Sequence, residues 1–350
     1  MALVDHYPAL TRPVEPVCSI CIANYNGTTL LDDCLASVLA QQWDINFEII
    51  VHDDASTDDS VALLLKKYPQ VELLASRENV GYCVSNNRMV EHARGEYILL
   101  LNNDAALFPN ALATFLAAAR RHQRTGILTL PQYDWETNEL VDRGCLLDPF
   151  YNPVPNLDPQ RTEVAMVIGA CLWIPRARWN ELGGFPEWME SIGEDLYLCG
   201  QARLRGQGVA ALTTSGYRHR QGHSFGGNRP AHGRLHSSVH RRRLSERNKT
   251  FALVVLTPTP LMGLLLTLHL FLLGLEGVAM GLVRWDWPMA RDVYAGVFVA
   301  LVRQSRILRS ARRDATRHRV VTLRDYLHTF TPLPRKLAML LRYGLPTVHR

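Results

Sequence analysis

Three times within the first 104 residues an apolar run stops abruptly on Asn or Asp. "VCSICIANY" (17–25) closes on Asn24, "FEIIVHDD" (47–54) on Asp53 and Asp54, and "YILLLNND" (97–104) on Asn102, Asn103 and Asp104. Each run is short and almost continuously apolar, as a strand buried on both faces must be. Helical patterns fall between them. Thr28 to Gln42 places Leu31, Leu35, Val38 and Leu39 on one face, and a second helix is expected to start near Ser56–Asp59, among good N-cap residues. "VELLAS" supplies a further strand, and residues 83–94 and 109–122 two more helices, the last introduced by Pro109. Strand alternating with helix predicts an α/β fold with a mostly parallel, doubly wound sheet. Ligands bind such sheets at the carboxyl ends of the strands. Turn and cap chemistry explains Asn or Asp at any one of the three ends. Three polar ends at one edge predict a site.

The pattern is less regular beyond residue 125. "MVIGACLWIP" reads as a strand, "RARWNEL" as a short helix, and "GGFPEWMESIGEDLYLCGQARLRG" as a loop leading into a helix. "GVAALTTSGYRHRQGHSFGG" gives a late strand and a Gly/His-rich loop. Residues 226–240 read as flexible, and a helix from roughly 236 to 256 carries "RRRLSERNKTFALV".

Charge is unevenly spread. The chain carries +5 overall, yet Arg284 to Arg350 holds 14 Lys and Arg against 4 Asp and Glu, which leaves the first 283 residues at −5. The basic stretch follows an apolar one, so anionic lipid headgroups are the expected partner. No aromatic-rich RNA motif or zinc finger supports nucleic acid. The seven cysteines show no framework spacing, which suits a reducing compartment, and Cys18 and Cys21 read as buried, inert thiols in a strand. No secretory leader is visible at the N-terminus.

Residues 251–275 lack Asp, Glu, Lys and Arg. "TPTP" at 257–260 is expected to break this segment and leave about 15 residues before Glu276, short for a membrane span. "RDVYAGVFVALVRQSRILRSARR" reads as amphipathic, with Arg303, Arg306, Arg309 and Arg313 near one face. In-plane membrane attachment is the expectation. A single span, a re-entrant hairpin, or a helix pair packed on protein are the alternatives.

Two acidic features carry chemistry. Asp104, at the end of a buried strand, offers a rigid carboxylate to a hard divalent cation. Glu194 and Asp195 in "SIGEDLY" open a helix, whose dipole keeps a carboxylate ionised. Ordinary acidic capping also accounts for that pair taken alone. His219 and His223, four apart in one loop, are candidate ligands for a metal or anion, or simple loop hydrogen-bonders.

From about Val17 to Lys249 these motifs, in this order, resemble glycosyltransferase family 2, of the GT-A fold, and particularly its rhamnosyltransferase-like members. "SICIANYNG" resembles the family's opening strand and its turn near the nucleobase, with Asn24, Tyr25 and Asn26. "IIVHDDASTDDS" resembles its acidic turn, which implies Asp53 on the base and Asp54 by the ribose or base. "ENVGYCVSNNRMVEHARGEYILLLNNDA" resembles the run up to the metal motif. Asn79, Gly81, Asn87 and Asn103 then fall on the donor nucleotide, and Asn102 and Asp104 at the metal. "IGACLWIPRARWNELGGF" resembles the acceptor-side strand and turn, and the resemblance implies Gly169 within it, and Trp188 and Glu194 beyond it, near the acceptor. "GEDLYLCGQARLRG" resembles the helix with the catalytic base, Asp195, and its neighbour Glu194. "YRHRQGHSFG" resembles the His-containing loop near the diphosphate, with His219 matching best.

Asn102 departs from the first carboxylate of the metal motif, and Pro186, Tyr197 and His52 depart from usual residues. The resemblance implies a Mn2+- or Mg2+-dependent inverting transferase. Its donor would be a nucleoside diphosphate sugar, dTDP-L-rhamnose first and UDP-sugars next. The acceptor would be a glycan or lipid-linked glycan, in bacterial surface polysaccharide synthesis at the cytoplasmic face of the inner membrane. An inactive membrane-bound scaffold of the same fold is the alternative. A nucleotidyltransferase is disfavoured, because "NYNGTTLL" lacks a Gly-rich basic loop. The expected organisation is an extension (1–16), a GT-A domain (17–250) and a membrane-associated helical tail (251–350).

Overall fold

A computed structural model describes residues 3–42, 46–121, 125–220, 230–231, 234–344 and 347–349. They form two compact units. Met1–Cys145, Pro155–Ser191 and Gln207–Arg220 make the first, and Leu146–Val154, Ile192–Gly206 and Gln221–Arg350 the second.

The first unit begins β1 (Val4–Tyr7), β2 (Cys18–Asn24), α1 (Thr28–Leu39), β3 (Phe47–Asp54), α2 (Ser60–Lys67), β4 (Val71–Ser76), α3 (Tyr82–His92) and β5 (Tyr97–Asn102). It continues through β6 (Ala105–Leu107), α4 (Ala111–Arg121), β7 (Thr125–Thr129), β8 (Gln132–Asp134) and β9 (Leu140–Asp142). β10 (Cys145–Leu147) and β11 (Pro153–Pro155) fall mostly within Leu146–Val154 of the second unit, and the first resumes with β12 (Cys171–Pro175), α5 (Arg176–Leu182), β13 (Gly208–Ala211) and β14 (Tyr217–His219).

The main sheet has the order β1-β4-β3-β2-β5-β12-β7-β13. β4, β3, β2 and β5 run parallel, as the alternation requires. β12 lies antiparallel between β5 and β7. Residues 4–7, within the expected extension, instead form an antiparallel edge strand on β4. The chain moves outward from β2 through β3 to β4, then crosses back to place β5 on the other side of β2. That reversal opens a crevice at the strand ends. Register puts Asn24 opposite Asp53 and Ala23 opposite Asn102, so the three polar ends form one row.

Alternate residues of these strands (Ile20, Ile22, Ile49, Val51, Leu99 and Leu101) are buried in one core with Leu31, Leu35 and Val38 of α1 and Leu112 and Phe115 of α4. Trp173 of β12 stacks on Phe115, ring centroids 5.1 Å apart, and anchors that face. α2 begins at Ser60, later than its N-cap residues suggested, because Asp58 turns back to accept from the Ser60 N–H (3.1 Å) and Oγ (2.6 Å). A second, four-stranded sheet, β6-β14-β8-β9, sets β14 beside β6 with His219 paired to Ala105.

The second unit holds α6 (Glu194–Leu204), α7 (Val239–Leu256), α8 (Leu261–Arg284), α9 (Trp287–Ala290), α10 (Gly296–Arg303), α11 (Ser305–Arg317), α12 (Leu323–Leu327) and α13 (Arg335–Tyr343). α7 is largely buried. Its C-terminal carbonyl groups are capped by Arg312, whose Nη1 donates to Val254 O (2.6 Å) and Thr257 O (2.8 Å).

One expectation for the tail is corrected. The apolar helix does not end near Glu276 but runs 24 residues to Arg284. Within the helix Glu276 accepts from Arg242 (2.6 Å) and Lys336 (2.5 Å), so its charge is matched rather than a stop. The segment read as amphipathic, 291–313, comprises a π-helical turn (Arg291–Ala295), α10 and α11. Gln304 leaves helical geometry between the last two. Most of the segment read as flexible, 226–240, lies outside the described residues or in short strands (Pro230–Ala231, Arg234–Ser238), and α7 begins at Val239.

Candidate active site

In the first unit the site is built around Asn24, whose side chain is buried at the end of β2. Its amide donates to Asp53 Oδ2 (2.8 Å), and its carbonyl accepts from Asn103 Nδ2 (2.8 Å). One side chain thus ties the end of β2 to the residues ending β3 and following β5. Asp53 also accepts from the Ser56 N–H (2.9 Å) and Oγ (2.7 Å). Asn26, at φ +49°, accepts from the Thr57 N–H (2.7 Å), and its own N–H donates to Ser56 Oγ (2.8 Å). These bonds stitch the loop after β2 to the loop after β3. Burial opposes charge on Asp58, but hydrogen bonds from Ser60 and Thr28 outweigh it and hold its pKa at about 2. Tyr25 stands exposed between these loops.

Asp54 serves the next loop. Its carboxylate accepts from the N–H groups of Val80 (2.7 Å) and Gly81 (2.9 Å), and Asn79 Nδ2 donates to Asp54 O (3.2 Å). Burial raises the Asp54 pKa against those bonds. Gly81 takes φ +85°, which favours glycine there. Asn87 both donates to and accepts from the backbone of Phe185 (2.9 Å each). Asp54, Asn79 and Asn87, expected on the nucleotide, therefore have these polar atoms engaged in holding loops.

Beyond β5 the side chains diverge. Asn102 Oδ1 accepts from the Tyr82 hydroxyl (3.0 Å), which also reaches Gly169 O (3.3 Å). Trp188 lies in a single 3-10 turn, Glu187–Met189. Asp104 is buried, and its Oδ1 lies 3.1 Å from His219 Nε2 on β14. The two atoms are in ion-pair range but make no hydrogen bond, and among the described residues Asp104 Oδ1 has no hydrogen-bond partner. A buried, orphaned carboxylate oxygen beside an imidazole nitrogen suits a divalent cation that takes its remaining ligands from phosphate and water. Asn102, expected as a third ligand, has its amide oxygen engaged by Tyr82.

Behind His219 is Asp142, whose pKa burial pushes up to about 7 against the opposing effects of the Gly144 N–H and His219. Arg220 pairs with Asp33 (2.6 Å) and lies 4.0 Å over the Trp135 ring. These two, with Leu30, Asn103 and Asp104, line a small cleft. His223 lies outside the described residues.

In the second unit the acidic pair opens α6, after Gly193 at φ +96°. Both carboxylates are buried, and Asp195 Oδ1 accepts from the Leu196 N–H (2.7 Å). Burial, with the Asp195 charge next, raises Glu194 to about 8, against the opposing pull of Arg241 on α7. Near neutral pH this favours the protonated form of Glu194. Asn248 Nδ2 donates to Ile192 O (2.8 Å) and steadies the turn before the pair.

Sequence reasoning gave Asp142, Trp135, Arg241 and Asn248 no role in the site, and read Ser56 only as a helix-capping residue. Ser56 lay in the quoted acidic turn "IIVHDDASTDDS", and Arg241 and Asn248 in the quoted helix "RRRLSERNKTFALV", without a role.

Residues 19–177 match the family described as Glycosyl transferase family 2. A chondroitin synthase of Escherichia coli is 30% identical over 188 residues, 52% of this chain and 26% of that protein. An N-acetylglucosaminyl-diphospho-decaprenol L-rhamnosyltransferase of Mycobacterium tuberculosis is 24% identical over 214 residues, 53% of this chain and 70% of the relative. The structure of GalNAc-T7 with UDP, GalNAc and Mn2+ superposes with a TM-score of 0.62 at 15% identity, covering 95% of this chain and 59% of that one. The chain spans a third or less of the length of the curated relatives that match it at 30% identity or more.

Two tests follow from this geometry. A Cβ on Gly27 would come within 2.2 Å of Asn24 Oδ1 and 2.4 Å of Asn103 Nδ2. Gly27→Ala is expected to break their bond and cost about 1–3 kcal/mol of stability in urea unfolding. An unchanged midpoint would contradict that packing. The raised Glu194 pKa gives stability that is full below the ordinary carboxylate pKa and lost as pH rises through about 8. Glu194→Gln should therefore lose less stability than the parent between pH 5 and 9, and parallel curves would refute the shift.

Proposed function

Residues 19–177 form a glycosyltransferase family 2 domain on a GT-A fold, and from that premise we propose that the protein transfers one sugar from a nucleoside diphosphate sugar to a hydroxyl of a glycan or lipid-linked glycan, with inversion at C1. The observation that carries this reading is the Asn24 bridge to Asp53 and Asn103 beside the orphaned Asp104 Oδ1. It supplies a polar edge next to a cation-ready carboxylate at the sheet's switch point.

Asp53, Asn24 and Asn26 shape the nucleoside end, and exposed Tyr25 offers a ring to the base. Asp104 and His219 would hold Mn2+ or Mg2+, which when bound neutralises the diphosphate as it departs. Arg220, held over Trp135, adds a fixed positive charge beside that position. Asp195 accepts the acceptor's hydroxyl proton as its oxygen bonds to C1 and the bond from C1 to the phosphate oxygen breaks. Glu194, keeping its own proton, leaves Asp195 as the ionised partner. No covalent nucleophile is invoked, so a single displacement inverts the anomeric carbon. L-Rhamnose from dTDP-rhamnose is the first donor, by likeness to the mycobacterial relative, and UDP-sugars are the second.

Attachment to the cytoplasmic face of a bacterial inner membrane, during surface polysaccharide synthesis, completes the reading. α8 buries one stripe (His269, Leu273, Gly277, Met280 and Gly281) within its own unit. It leaves Leu264, Leu268, Phe271, Leu275 and Leu282 exposed. α8 is long and apolar enough to cross a bilayer, but one packed face and one exposed apolar face suit a helix lying in the headgroup plane. Exposed arginines on α11 add attraction for anionic lipid.

Thermal-shift measurements with dTDP- and UDP-sugars, with and without Mn2+, test the donor. The true donor should raise the melting temperature in a metal-dependent way. Asp195→Asn should keep that shift while transfer falls by about 100-fold or more. Unchanged turnover would remove Asp195 as the base, and no response to any nucleotide sugar would favour a non-catalytic scaffold. On membranes, the full chain should float with vesicles containing phosphatidylglycerol and less so in high salt. A chain that never floats would contradict membrane attachment.

A further inference from the structure

Away from the crevice, at the β1 edge of the main sheet, two imidazoles converge on one carboxylate oxygen. His6 lies on β1 opposite Leu74 of β4, and Glu72 lies two residues before Leu74, so both side chains point to the face covered by α3. His92 is the last residue of α3. His6 Nε2 is 2.8 Å and His92 Nδ1 3.6 Å from the same Glu72 Oε1. The three potential ligand atoms all lie within 4.8 Å of one another, the only such group of three among the described residues.

We propose that His6, Glu72 and His92 form a zinc-class metal site, separate from the sugar-transfer site, that fastens the edge strand β1 to the end of α3. Zinc bonds of about 2.0–2.1 Å in tetrahedral geometry place ligand atoms about 3.3 Å apart. The two edges to Glu72 Oε1, 2.8 and 3.6 Å, bracket that value, and the two imidazole nitrogens lie within 4.8 Å of each other, so metal entry would draw the histidines together. Two imidazoles and one carboxylate favour zinc, cobalt or nickel, whereas an oxygen-rich set would favour magnesium or manganese. Both histidines are partly exposed, which leaves the fourth position to water.

Glu72 itself is buried, and its other oxygen, Oε2, is held by Arg12 (2.6 Å), which orients Oε1 toward the histidines. That guanidinium also cancels the carboxylate charge, so affinity should be moderate rather than picomolar. Of the basic groups on the α3 and β3 sides, Arg88 contacts His52 (3.4 Å) and Ser76 Oγ (3.5 Å) rather than Glu72. An ordinary cluster of ion pairs would need only one imidazole on that oxygen. Two nitrogen donors aimed at it are better satisfied by a cation than by one proton.

Metal-stripped full-length protein titrated with ZnCl2 in a calorimeter, and with Co2+ followed by visible absorption, tests the site. Asp104→Asn should retain one zinc and show the absorption of four-coordinate cobalt. The double substitution His6→Asn, His92→Asn should bind one zinc fewer than the parent, or bind it at least tenfold more weakly, while Mn2+-dependent binding of the nucleotide sugar stays intact. Identical zinc stoichiometry and affinity in parent and double variant would overturn the proposal. If the double variant does not fold, anomalous scattering at the zinc edge from crystals of the parent decides. A peak between His6, Glu72 and His92 supports the site, and its absence at saturating zinc rejects it.

Discussion

The crevice of the sheet depends on one buried amide used in both directions. Asn24 donates a hydrogen bond to Asp53 and accepts one from Asn103, so the residues closing β2 and β3 and following β5 are held by a single side chain. Such a bridge is possible because parallel strands in register end level with one another, and because the strand order reverses beside β2. Neither bond faces bulk water, so losing one leaves a buried polar atom without a partner, a cost larger than the bond's net contribution. Gly27 is required beside it because any side chain would occupy the space of the bond itself.

The carboxylates around this edge differ by what their oxygens meet. Asp53, Asp54 and Asp58 are occupied by backbone and hydroxyl donors of the loops, and these bonds set the loop shapes. Asp104 keeps an oxygen that makes no hydrogen bond among the described residues, with His219 alongside. Glu194 and Asp195, in their own unit, are buried neighbours, and burial first, with the Asp195 charge second, favours a proton on Glu194. Residue type is the same throughout. Local donors decide whether a carboxylate builds a loop, waits for a cation or takes up a proton.

The second unit shows the same principle with full charges. Glu246 on α7 pairs with Lys249 (2.7 Å) and with Lys336 of α13 (2.8 Å), and Lys249 also donates to Asn152 (2.8 Å). Buried charges of this kind are tolerated when every partner is in place. The same helix carries Arg241 toward the acidic pair and Asn248 onto the Ile192 carbonyl, so α7 both anchors the unit and braces the start of α6.

By itself, the amino-acid sequence was enough to place the strand–helix alternation, the parallel core and the shared edge of Asn24, Asp53, Asn103 and Asp104. Those features follow from periodicity between near neighbours and from strand ends, both of which are local. It did not reveal that Asp54, Asn79 and Asn87 hold loops, since their partners are backbone groups elsewhere in the fold. Nor did it show β1, whose four residues gain order only by pairing with β4, or the full length of α8. Glu276 read as an end to that helix until Arg242 and Lys336 were found against it. His219 beside Asp104, and His6 and His92 around Glu72, are likewise products of strand register and helix placement. A polar atom's role is set by the donor or acceptor within about 3 Å of it, and for these residues folding brings that neighbour from far along the chain.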